Sequence, residues 1–214
     1  VIDVYYKAKS STIVVKYVDK NNGNELISEK TIEGKVFEKY NLDNALEEIE
    51  GYTLVEKPEN MTVEFAEEAK VYTFYYSKNT QVIVKYLEKD ETLETDEDNI
   101  LLEEIIIDGY VGKDYVTVNK NFETYNYEES SENTTGKMTE EIIIVKYYYS
   151  KIKYGIVEKH IDVKTEEILE TKTYEVAVGE TYKVNPREIE GYDLVDTMLP
   201  ENAEGVVEDK PIEV

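Results

Sequence analysis

The chain has no cysteine and no tryptophan, and only one histidine and four prolines in 214 residues. Without cysteine it can form neither a disulfide framework nor a thiolate metal site. His160, with no second imidazole to help it, is a poor metal ligand. No nucleophile–base pair, G-x-S-x-G turn or glycine-rich phosphate loop is present. Carboxylates in pairs occur everywhere and so select no acid–base couple. The sequence therefore reads as non-enzymatic and calls for no cofactor. Basic charge is also scarce: 24 Lys and Arg against 48 Asp and Glu leave a net charge of −24. That excludes nucleic acid as a partner, because binding there needs cations facing phosphate. It also argues against anionic membrane surfaces. No apolar run approaches the roughly 20 residues of a membrane-spanning helix, which excludes insertion by that route.

The chain is rich in tyrosine, with 20, and they fall in a repeat. Phe74-Tyr75-Tyr76-Ser77-Lys78 returns as Tyr147-Tyr148-Tyr149-Ser150-Lys151, and Ile13-Val14-Val15-Lys16-Tyr17-Val18 returns as Val82-Ile83-Val84-Lys85-Tyr86-Leu87. A period of roughly 70 residues marks an array of like modules. Residues 1–10 read as the closing strand of a preceding repeat, since Val1-Ile2-Asp3-Val4-Tyr5-Tyr6 matches Val71 to Tyr76. Repeat 1 spans 11–78 and repeat 2 spans 79–151. Repeat 3 spans 152–214 and is read as lacking its last strand.

Within repeat 1, strand patterns cover Ile13 to Val18 and Glu25 to Ile32, joined by Asp19-Lys20-Asn21-Asn22-Gly23-Asn24, which has hairpin chemistry. Asn41 to Ile49 is the one stretch that predicts a short helix, with Asn41 or Asp43 as N-cap and Gly51 past its end. Further strand patterns follow at Gly51 to Val55 and Val71 to Tyr76. The joints, Ser77 to Thr80 and Ser150 to Lys153, are short, which predicts a semi-rigid array.

The anchors recur in one order: Val14 to Asp19, the hairpin Asp19 to Ile27, Val178-Gly179-Glu180-Thr181-Tyr182, Gly51-Tyr52-Thr53-Leu54-Val55, Asn133 to Met138, and Phe74-Tyr75-Tyr76. Together they resemble the MucBP (mucin-binding protein) repeat of Gram-positive surface adhesins, over nearly the whole chain. Repeat 2 departs with Thr124-Tyr125 in place of Gly-Tyr, and repeat 3 with His160 in place of Tyr17 and Tyr86. The resemblance implies a mostly β or α+β fold of tandem, ubiquitin-like β-grasp modules in an elongated array. It implies a cell-wall-anchored parent on the bacterial surface, adhering to host mucin or to another glycoprotein or matrix protein. The alternative role is a stalk that projects another domain.

Strand side chains alternate between faces. In the closing strands one face reads Tyr72, Phe74, Tyr76 and Val145, Tyr147, Tyr149, and is assigned to the core. The other presents Tyr5, Tyr75 and Tyr148 at matching positions, the candidate ligand-binding residues. An outward tyrosine offers a ring for stacking on sugar and a hydroxyl for hydrogen bonding. The alternation does not decide which face of the opening strand is inside. The acidic run Asp90 to Asn99 lacks the order of a calcium loop and reads as solvated. Leu199-Pro200-Glu201-Asn202 resembles a sorting signal but occupies the place of Lys57-Pro58-Glu59-Asn60 in repeat 1. The sequons at Asn60 and Asn133 read as turn formers. Because an open sheet edge templates strand addition, the segment Val1 to Tyr6 is expected to exchange between copies of the fragment.

Overall fold

The computed structural model describes residues 1–89, 100–195, 198–208 and 212–213, the last pair by backbone alone. The acidic run Asp90 to Asn99 lies outside the described residues. The strands are β1 (Ser10–Asp19), β2 (Glu25–Lys35), β3 (Lys39–Asn41), β4 (Tyr52–Glu56), β5 (Thr62–Glu64), β6 (Lys70–Glu88), β7 (Ile100–Tyr110) and β8 (Asp114–Val116). They continue as β9 (Tyr125–Ser130), β10 (Thr135–Lys137), β11 (Ile143–Lys151), β12 (Lys153–Ile161), β13 (Ile168–Ala177), β14 (Thr181–Lys183), β15 (Glu204–Val206) and β16 (Ile212–Glu213). The fold is mostly β. Two compact units form: Val1–Lys85 with Glu103–Val118 and Ser131–Lys146, and Tyr86–Leu102 with Asn119–Ser130 and Tyr147–Val214.

In the first unit, β1 pairs antiparallel with β2 and parallel with β6, and β6 pairs antiparallel with β4. The order β2-β1-β6-β4, with its central pair parallel, is compatible with a β-grasp sheet. Ile13, Val15 and Tyr17 of β1 are fully buried, while Val14, Lys16 and Val18 are half-buried. This settles the face that alternation left open. Phe74 and Tyr76 complete that core with Leu42, Ala45, Val63 and Phe65. The Tyr17 ring stacks on Phe74 with centroids 6.1 Å apart. In the second unit Tyr86 stacks on Tyr147 at 5.5 Å, the same pairing one repeat later.

The expected helix at Asn41 to Ile49 is corrected. Only a 3-10 turn forms, at Leu42–Ala45, with Asn41 as cap accepting from the Asp43 N–H at 3.0 Å. No α-helix occurs among the described residues, so the α part of the α+β expectation falls away. The reason lies in the core. The Tyr17 hydroxyl donates to the Ala45 carbonyl, and the Tyr76 hydroxyl donates to the Glu47 carbonyl at 2.6 Å. A helix through Ile49 would direct the Ala45 carbonyl to the Ile49 N–H, whereas here it is taken by the Tyr17 hydroxyl.

Three turns recur with the same hydrogen bonds. The N–H groups of Phe37, Gly112 and Gly179 donate to Phe65, Met138 and Val207. Those three residues donate in return to Glu38, Lys113 and Glu180. All three turn residues have positive φ, at 76°, 88° and 85°. The N–H of the preceding valine (Val36, Val111, Val178) donates to a carbonyl of the segment ahead of the opening strand, at Lys9, Lys78 and Ile152.

Residues 1–9 form no strand, and Val1, Ile2, Val4, Tyr5 and Tyr6 are exposed. A strand needs a neighbour for its N–H and C=O groups, and no described strand pairs with this segment. In repeat 3, β12 pairs antiparallel with β13, and Ile156 and Val157 pair in parallel with β16.

Candidate functional site

The alternation that sends Phe74 and Tyr76 inward turns Tyr75 to the other face of β6, where it is half-buried. Its sheet neighbours are Val18 on β1 and Glu56 on β4. Glu56 holds the ammonium of Lys20 at 2.7 Å, and the Lys20 backbone N–H donates to the Tyr76 carbonyl at 2.8 Å. The hydrogen bond that Lys20 donates to Glu56, and then the charge of Glu56, raise the Lys20 pKa, and Tyr110 and Tyr75 add smaller contributions. Lys20 is an exposed cation, ion-paired with Glu56, near Tyr75.

The second unit holds the same constellation. Tyr148 on β11 is half-buried and lies opposite Glu129 on β9. Glu129 accepts from the Lys89 ammonium at 2.6 Å, and the Lys89 backbone N–H donates to the Tyr149 carbonyl at 2.6 Å. Each copy thus has a tyrosine ring, a carboxylate across from it and a lysine bonded to that carboxylate. An exposed pair of this kind contributes little to stability. Chemically, the arrangement offers hydrogen-bond donors and acceptors on the same side of the sheet as an aromatic ring.

Tyr5 differs. It lies in the unpaired segment, 89% exposed, and among the described residues no such ion pair stands beside it. In repeat 3 the lysine of the constellation is replaced, since Val163 stands three residues past His160 where Lys20 and Lys89 follow Tyr17 and Tyr86. Reading outward tyrosines alone missed Lys20, Lys89, Glu56 and Glu129. The signal was available, since both lysines stand three residues past the aligned tyrosines Tyr17 and Tyr86.

His160 faces inward. Its Nε2 is 2.8 Å from Oε1 of Glu158, a carboxylate only 4% exposed that occupies the core position of Val15 and Val84. Among the described residues, no group of three or more His, Asp or Glu side chains is placed to hold a metal.

With the repeated turns and strands described, the family model for the MucBP domain matches residues 12–77, 81–150 and 156–214. The chain belongs to the MucBP domain family. Among curated relatives, two Internalin J proteins of Listeria monocytogenes are 30% and 32% identical over 202 residues. Each alignment covers 90% of this chain, and 21% and 22% of those proteins. This MucBP chain therefore spans about a fifth of the length of the relatives it matches. Internalin I of the same organism is 26% identical, over 95% of this chain and 11% of its own length. Among solved structures, the type 2 repeat of the mucus binding protein MUB from Lactobacillus reuteri is 13% identical. It covers 66% of this chain and all of its own, with a TM-score of 0.27. The Bacillus anthracis TIE protein is 11% identical, with a TM-score of 0.38, covering 95% of this chain and 50% of that one.

Proposed function

We propose that this MucBP array is the non-catalytic, ligand-contacting part of a bacterial surface adhesin. In this reading, Tyr75 and Tyr148 stack on neutral sugars of host mucus glycoprotein. The observation that carries the reading is the recurrence of the Tyr–Glu–Lys constellation in repeats 1 and 2 at matching positions. Lys20 with Glu56, and Lys89 with Glu129, would supply hydrogen bonds around each ring. A net charge of −24 repels sialylated or sulfated chains at long range, so contact falls to uncharged sugars at short range. The test is binding to immobilised mucin and to a glycan array, beside a Tyr75→Ala/Tyr148→Ala variant. Saturable binding that the variant loses supports the reading, and binding that the variant keeps removes these tyrosines from it. Rising affinity with salt marks a neutral sugar on an anionic ligand, and falling affinity marks a basic protein partner.

The second reading, a structural stalk, is favoured by the joint between repeats 1 and 2. The Asn21 amide donates to the Ser77 hydroxyl at 2.7 Å, and that hydroxyl donates to the Val111 carbonyl at 2.7 Å. A stalk shows no saturable binding to any glycan while its repeats stay folded.

A further inference from the structure

Repeats 2 and 3 place Gly112 and Gly179 at the second position of the recurrent turn, whereas repeat 1 places Phe37 there. Phe37 has φ of 76° and is 77% exposed. A bulky residue with positive φ is uncommon and costs free energy that glycine avoids. Nothing in the core repays that cost, because the ring points to solvent. A strained, exposed aromatic is the signature of a contact surface.

The joint between repeats 1 and 2, which lies inside the first unit, shows what this turn position meets. A Cβ built on Gly112 would lie 3.9 Å from Asn21 Oδ1, at the hairpin of the repeat before it. Asp19 fixes that hairpin: its Oδ1 accepts from the Asn21 N–H at 2.8 Å, and its Oδ2 accepts from the Asn22 amide at 3.0 Å. At the joint between repeats 1 and 2, the second position of the turn thus faces the preceding hairpin, whereas a Cβ on Gly179 meets nothing within 4 Å among the described residues.

Upstream of repeat 1, half of the same joint is already assembled. The Val36 N–H donates to the Lys9 carbonyl at 3.0 Å, as Val111 does to Lys78 at 2.9 Å. The upstream connector is one residue longer: Tyr6 to Ile13 takes seven steps, against six from Tyr76 to Val82. One extra residue lengthens the connector's reach by at most about 3.6 Å, roughly the thickness of an aromatic ring.

We infer that Phe37 is an inter-repeat anchor, whose ring packs against the hairpin of another MucBP repeat placed ahead of residue 7. The occupant is a module of the same family, not a host ligand, so this inference stands apart from the glycan reading.

The absence of tryptophan makes the test direct. Phe37→Trp supplies a single emitter, compared in the chain as it stands and in a chain where a copy of residues 11–76 replaces residues 1–6. In the extended chain the emission is expected to shift to the blue and acrylamide quenching to fall several-fold. Both effects are expected to vanish when the added hairpin is cut to a two-residue Asn-Gly turn. Equal quenching in the two chains overturns the inference. Protection that survives removal of the hairpin also overturns it, because something else then covers the ring. Hydrogen exchange at Val36 to Glu38 in unmutated chains of both lengths gives the same decision without the tryptophan. Slower exchange in the extended chain is expected, and equal exchange overturns.

Discussion

At the scale of single residues, the three repeats act as natural variants of one another. A Cβ on Gly34 would lie 2.5 Å from the Phe65 ring, and one on Gly109 would lie 2.3 Å from the Met138 sulfur. Repeat 3 has Val176 at the glycine position and Val207 at the other, so a small residue faces a large one, or two of middle size meet. Gly34→Val alone should destabilise repeat 1 by about 1–3 kcal/mol through overpacking. Adding Phe65→Val should recover part of that loss, with a coupling of about 0.5–3 kcal/mol in a denaturant double-mutant cycle. Phe37→Gly should stabilise the present chain by about 1 kcal/mol, the left-handed penalty less the entropy cost of glycine, read as a higher urea midpoint. In repeat 3, the Glu158 Oε2 is buried with no hydrogen-bond partner among the described residues, and the Lys172 ammonium is 4.0 Å away. Installing the residues of repeats 1 and 2, as Glu158→Val with His160→Tyr, should stabilise that module by about 1–4 kcal/mol in thermal melts.

At the scale of elements, the strands were legible because period-two alternation writes burial directly into β1, β6 and β11. The hairpin Asp19 to Asn24 was legible from its turn residues. The helix at Asn41 to Ile49 was misread for a reason that only tertiary contact supplies. Asn41 does cap, and Leu42 and Ala45 do share an inward face, so the local signals were sound. What competes with the helix is core tyrosines from distant strands: the Tyr17 hydroxyl takes the Ala45 carbonyl that the Ile49 N–H would use, and the Tyr76 hydroxyl holds the Glu47 carbonyl against the core. Burial raises the pKa of both Tyr17 and Tyr76 above the ordinary 10.0. Their folded pKa exceeds the unfolded one, so their stabilisation is complete below pH 10 and is lost as the pH climbs through the raised values. Circular dichroism should therefore show base-induced unfolding of repeat 1 above about pH 10. Tyr17→Phe should flatten that slope and lower stability at neutral pH by about 1–3 kcal/mol, since it leaves the Ala45 carbonyl unpaired.

At the scale of the whole molecule, the family and the array were legible in sequence because periodicity survives without any contact information. The candidate site was legible only in part. Tyr75 and Tyr148 could be chosen from strand alternation, but their partners Glu56 and Glu129 come from neighbouring strands whose register no local pattern fixes. The central claim is that the constellation in repeats 1 and 2, whose lysine is replaced by Val163 in repeat 3, contacts sugar. Calorimetric titration of the intact chain with a neutral mucin-type glycan tests it most directly. The account predicts two equivalent sites per chain, one abolished by Tyr75→Ala and the other by Tyr148→Ala. Three equivalent sites, or binding undiminished in the double variant, would contradict it.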